Sequence, residues 1–222
     1  YSQTIQVPDA LWIRLRFGDT SLGAKSFVRM TSLEDQGDQR LDSQSIADYG
    51  FSSAFFNGAK VLVEVFADPS DENVFLTIDE VVFGEPELSS KVICGGTDDR
   101  IPAIDPAVGR FVYDLAGGSQ VARCSAWIAS SGAYVTAGHC FARGGEGDPD
   151  LIEFNVPLSN ADGTPNFADP DDQYPVNVAS VIRKEAGTGD DYAVFDCNAN
   201  SDTGLLPVQG QNDFFRPAKV SD

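Results

Sequence analysis

One stretch is the most informative about chemistry. Residues 124–140, CSAWIASSGAYVTAGHC, contain the only histidine, His139, and two of the four cysteines, Cys124 and Cys140. Imidazole is the side chain whose unperturbed proton equilibrium lies near neutral pH, so any proton transfer that needs one must run through His139. The four cysteines, Cys94, Cys124, Cys140 and Cys197, form no CxxC pair. That spacing argues against a zinc ribbon or a redox motif and leaves disulfides as the simplest use of an even count. Disulfides in turn imply an oxidising, secreted setting.

The elements that must position these residues read as strands. In LWIRLRF, Leu11, Ile13, Leu15 and Phe17 alternate with Trp12, Arg14 and Arg16, the period of two of a strand with one face on a core and the other in water. Further strands are expected over 26–30, 54–56, 60–66 and 74–83, separated by turn chemistry at Gly18-Asp19, Gly37-Asp38, Asn57-Gly58 and Asp68-Pro69. With no helix-period pattern here, residues 1–88 are expected to form an antiparallel β-sandwich, an accessory or propeptide-like unit without catalytic residues. An exposed aromatic such as Trp12 is where a binding role for that unit would be sought. Residues 89–108 (SSKVICGGTDDRIPAIDPAV), rich in small and turn-forming residues, read as a linker. From 109 onward strands resume at 110–115, 121–129, 133–136, 151–156, 174–182 and 192–195, with a polar surface loop over 159–172.

Composition narrows the partners. The 222 residues carry 34 acidic and 15 basic side chains, a formal charge of -19, which opposes binding to nucleic acid or to anionic membrane surfaces. No apolar run approaches the ~20 residues that span a bilayer. No cofactor is expected; a structural calcium is the one candidate ion, with Asp148, Asp150, Asp162, Asp169, Asp171 and Asp172 as oxygen donors in a spacing unlike an EF-hand. The chain begins at Tyr1 without an initiating methionine, as a processed product would.

Thr136-Ala137-Gly138-His139-Cys140, after strands around Trp127-Ile128 and Tyr134-Val135, resembles the TA[AG]HC signature of chymotrypsin-like serine proteases. The resemblance implies that Cys124 bridges to Cys140, pinning the turn that presents the histidine; closing such a loop is worth ~3 kcal/mol by chain entropy. It also implies an acid at the start of a strand, and Asp191-Tyr192-Ala193-Val194 fits that pattern. Asp190 is the neighbouring competitor; alternation places Asp191 with Ala193 and Phe195 on the inward face. His139 would then be base and acid in turn, with Asp191 orienting it. The run Gly96-Thr97-Asp98-Asp99-Arg100 resembles the segment near the mature amino terminus of the bacterial glutamyl endopeptidase branch. Cys94 and Cys197 are left to pair, similar to bridges that keep a propeptide attached, and Arg100-Ile101 is a candidate processing point.

The resemblance therefore implies an all-β protein: an N-terminal β-sandwich, then over 109–222 the first six-stranded antiparallel barrel of a double-barrel fold, ending at the opening of the second, with Phe214 and Phe215 as its first buried side chains. The implied function is secreted serine endopeptidase, with protein or peptide substrates. One departure is large: the sequence contains neither GDSGG nor any GxSxG, so the serine nucleophile is absent from this chain. The chain alone is expected to be inactive. It reads as part of a complete protease, as one of two chains whose C-terminal half carries the serine, or as a non-catalytic protease-like binding protein.

Overall fold

The computed structural model describes residues 1–84, 105–114, 120–141, 147–160 and 165–216. The first 84 residues fold into β1 (Ser2–Gln6), β2 (Trp12–Ser21), β3 (Phe27–Ser32), β4 (Asp38–Leu41), a one-turn helix α1 (Ser45–Asp48), β5 (Phe56–Asn57), β6 (Lys60–Phe66) and β7 (Phe75–Gly84). They form two antiparallel sheets, one in the order β1-β6-β3-β4 and one in the order β5-β2-β7, around a shared apolar core that includes Ile13, Leu15, Val28, Met30 and Val61.

The rest of the described chain adds β8 (Val108–Asp114), β9 (Gln120–Ile128), β10 (Tyr134–Thr136), a 3-10 turn (Gly138–Cys140), β11 (Leu151–Glu153), a second 3-10 turn (Pro170–Asp172), β12 (Gln173–Glu185), β13 (Asp191–Cys197) and the short helix α2 (Pro207–Gln211). The six strands close into an antiparallel barrel in the ring order β10-β13-β12-β11-β8-β9. β12 serves two neighbours: Gln173–Pro175 pair with β11 and Val176 onward pairs with β13, across a register shift between Asn177 and Ile182 that lets the strand turn the corner of the barrel. Alternation fills the interior with Phe111, Tyr113, Ala126, Ile128, Ile152, Tyr174, Ala193 and Phe195.

The strands expected from the sequence are found, with shifted ends. β1 and β4 were not foreseen, because SQTIQ and DQRL are too polar to read as strands; β6 and β3 recruit them by backbone pairing. β8 begins at Val108, inside the expected linker, and Ala107 already lies in the barrel core. Residues 85–104 lie outside the described residues.

Several expectations are corrected, the first of them by the packing of the sandwich against the barrel. β2 buries both faces, with Trp12 7% and Arg14 1% exposed, so neither meets water and Trp12 offers no exposed aromatic surface. Trp12 instead packs edge-on against Phe55 and Phe167, which stack on each other at 4.3 Å. The expected surface loop carries Phe167 and Ala168 inward, both buried. Val112, Leu151 and Phe167 belong to the sandwich core, although each is held by the barrel half of the chain. Covering such side chains contributes about 1.5–3 kcal/mol each relative to leaving them wet. Finally, Phe214 and Phe215 are exposed rather than buried; Phe215 pairs its backbone with Ile128 and Ser130 at the β9–β10 turn.

Candidate active site

The histidine turn is built by its neighbours. β10 ends at Thr136, whose hydroxyl donates to the Ser125 carbonyl at 2.8 Å, tying β10 to β9. The chain then makes a single 3-10 turn, Gly138–Cys140, laid against β12 and β13. Gly138 is required by closeness: a Cβ there would stand 2.1 Å from the Lys184 carbonyl oxygen and 2.9 Å from that of Tyr192. Arg183 donates to the Phe141 carbonyl from one side, and the Tyr113 hydroxyl donates to the Cys140 carbonyl at 2.7 Å from the other.

Cys124 and Cys140 form a disulfide, separated by 16 positions. The partner strand pairs Arg110 with Ser125 and Phe111 with Arg123, so Cys124 is the extra residue of a bulge, with a φ of 58°. A left-handed φ is unusual for a side chain other than glycine and asparagine. Here the bulge takes Cys124 out of the ladder while its sulfur reaches Cys140 beside the histidine.

Asp191 opens β13 and clasps His139 twice. Its Oδ1 accepts the His139 backbone N–H at 2.9 Å, and its Oδ2 lies 2.6 Å from ring Nδ1. An ionised carboxylate can only accept, so Nδ1 is the nitrogen that donates to Asp191, and in a neutral ring the lone pair is on Nε2. The ring hydrogen bond, followed by the backbone one, holds the Asp191 carboxyl below the ordinary aspartate range. Its neighbour Asp190 turns away and pairs with Lys184 Nζ at 2.7 Å. The His139 side chain is 40% exposed, so Nε2 can be approached from outside. Among the described residues no side-chain hydroxyl is hydrogen-bonded to it.

The structure thus brings together His139, Asp191, Cys124 and Cys140. It does not bring in Cys197, a buried thiol with no disulfide partner among the described residues, whose burial pushes its proton affinity well up. Cys94, Arg100 and Ile101 lie outside the described residues, so the expected Cys94–Cys197 bridge has no counterpart among them. The supports missed from sequence are Tyr113 and Arg183, whose long-range contacts leave no periodic trace.

Of the calcium candidates, Asp162 lies outside the described residues, while Asp169, Asp171 and Asp172 share one turn, where their charges act on one another. Asp150 faces Arg14 at 4.0 Å, Asp169 caps the Pro170–Asp172 turn through the Asp171 N–H, and Asp172 accepts from Asn155 and Gln211. The described group whose ligand atoms converge within 4.8 Å is Cys124, His139 and Cys140, and its two sulfurs are spent on each other. The chain matches no protein-family model, no curated protein and no solved structure.

Proposed function

We propose that this chain supplies the general base and its orienting carboxylate for a chymotrypsin-like serine endopeptidase similar to the glutamyl endopeptidase branch. The observation that carries the reading is the double clasp of Asp191 on His139, through backbone N–H and Nδ1 together. That arrangement fixes ring orientation and tautomer at once on a side chain that is partly exposed.

In this reading a serine from outside the described residues comes to Nε2. As its Oγ bonds to the carbonyl carbon of a peptide, its proton passes to Nε2 and the positive charge on the ring is stabilised by Asp191. The same proton then goes to the leaving amine as the peptide C–N bond breaks, leaving an acyl-enzyme. Water repeats the cycle: it gives a proton to Nε2 as its oxygen bonds to the acyl carbon, and the proton then goes to the serine Oγ as the ester C–O bond breaks and the carboxylic acid leaves. The substrate is a protein or peptide, and the disulfide beside the base fits work outside the cell. The second barrel of the double-barrel fold, which would hold the serine and the substrate pocket, belongs to this proposal.

A fluorophosphonate probe tests it on the full-length natural protein. Covalent labelling at a serine, abolished by His139→Ala, is expected. Failure of the unmodified protein to label would leave a non-catalytic binding role on the same scaffold, the reading favoured by the lack of a GDSGG or GxSxG motif in this sequence.

A further inference from the structure

A propeptide-like unit that silences a protease by blocking it covers the base or the cleft beside it. The contacts between residues 1–84 and the barrel lie elsewhere. In the ring β10-β13-β12-β11-β8-β9, the strand three places from β10 in either direction is β11. β11 and its flanks receive the sandwich, while the histidine turn follows β10 and Asp191 opens β13.

The seam has the character of an interior. All three residues of β11 are buried: Ile152 faces the barrel core, Leu151 the sandwich core, and Glu153 is paired with Arg110. On β8, Phe111 and Tyr113 face inward while Val112, between them, enters the sandwich. Buried polar groups across the seam are largely matched, the exception being Gln39 Nε2 on β4, which has no hydrogen-bond partner among the described residues. Gln173, 1% exposed, accepts the Phe55 N–H and donates to the Phe55 and Ala168 carbonyls, all at 2.8 Å. The Tyr49 hydroxyl donates to the Gln173 carbonyl at 2.9 Å. Asn57 exchanges two hydrogen bonds of 3.0 Å with the Phe167 backbone. Further out, the Arg40 N–H donates to Asp202 at 2.8 Å. Separating the halves would expose apolar side chains and strand these donors and acceptors together, which is costly in a way that a wet, exchangeable contact is not.

We infer that residues 1–84 are a permanent structural partner of the barrel, docked on the side opposite His139, and that they stay bound without a covalent link while leaving the base open. Processing at Arg100-Ile101 would then produce a clipped two-piece protein rather than release a pro-segment. The inference does not depend on the peptidase reading, because its readout is mass.

The test is a full-length chain with a site-specific protease sequence inserted between residues 85 and 93, upstream of Cys94, so that any Cys94–Cys197 bridge stays within the barrel piece. After native cleavage, both pieces are expected to co-elute at the mass of the uncut protein at about micromolar concentration, where a specific complex of ordinary interface quality holds. Pieces that run apart, soluble or aggregated, would overturn the inference. Gln173→Ala in the cut protein is expected to raise the dissociation constant by about ten-fold or more through unmatched buried groups. Asn57→Ala, at a half-buried position, serves as a milder second variant with a shift in the same direction. Cut proteins of both variants that associate as tightly as the unmodified one would also count against it.

Discussion

The two sides of the barrel differ more than six similar strands would suggest. β11 is buried at every residue, whereas β13 alternates: Ala193, Phe195 and Cys197 face the core, and Tyr192 stands 46% exposed. Trp127 on β9 and Ile182 on β12 are likewise exposed. One side is covered by a second sheet system and behaves like the middle of a larger protein; the other is a barrel wall facing outward. The His139–Asp191 pair belongs to the outward side. Buried packing is thus concentrated at the seam and the exposed histidine lies on the far wall, and substitutions should separate the two.

The largest separation is expected at Asp191. If the chain serves as proposed, Asp191→Asn lowers the turnover of the full-length protein by about 10⁴ through the wrong imidazole tautomer, as in other enzymes of this kind. Its melting temperature should fall only modestly by comparison, through loss of the charged clasp on His139, read by calorimetry beside peptide hydrolysis. At the seam the balance reverses: Phe167→Ala should cost about 3–5 kcal/mol of folding stability, since its ring is buried against Phe55 and Trp12. Phe214→Ala, at an exposed position, should stay within about 0.5 kcal/mol. Denaturant titration of both variants checks the contrast, and equal costs would dissolve it.

A smaller loss, about 3 kcal/mol, is expected when Cys124 and Cys140 are both replaced by alanine, because the bridge closes a 16-position loop. That change bears on the outward wall and should lower activity through a looser histidine turn. The smallest effect is in pH. The folded-state affinity of Asp191 for a proton is lowered, chiefly by its bond to the His139 ring. Its contribution to stability is therefore present above the ordinary aspartate range and lost as pH falls through the lower folded value. The difference in melting temperature between the unmodified protein and Asp191→Asn should shrink only in that acidic window, and a shrinkage centred near neutral pH would assign the linkage to another group.

What could be read from the sequence follows from how far each signal reaches. Alternation is local, so Lys60–Phe66 and the strand beginning at Asp191 stand out in the chain itself. The TAGHC and DYAV runs placed the histidine and its carboxylate, and the paired cysteines followed from the same resemblance. Alternation also misled: it put Arg14 in water because a strand covered on both faces looks, at its polar positions, like a half-exposed one. What covers Arg14 is Phe55, beneath its guanidinium at 4.7 Å, together with Asp150 from the barrel. Gln173 meets Phe55 across 118 positions, and nothing in the local pattern of either segment announces the meeting. The Cys124 bulge was equally silent, since it depends on a register set by the partner strand.

The core shared by Val112, Leu151 and Phe167 with the first 84 residues also limits how such a gene can change. Two halves that complete each other's packing cannot be traded as independent cassettes. A recombination that joined this barrel to a different leader, or this leader to a different barrel, would leave Val112, Leu151 and Phe167 wet and the Gln173 amide without its mates. The two halves are therefore expected to be inherited together, with substitutions on one side of the seam answered on the other, while the outward wall that carries His139 stays free to vary in what it meets.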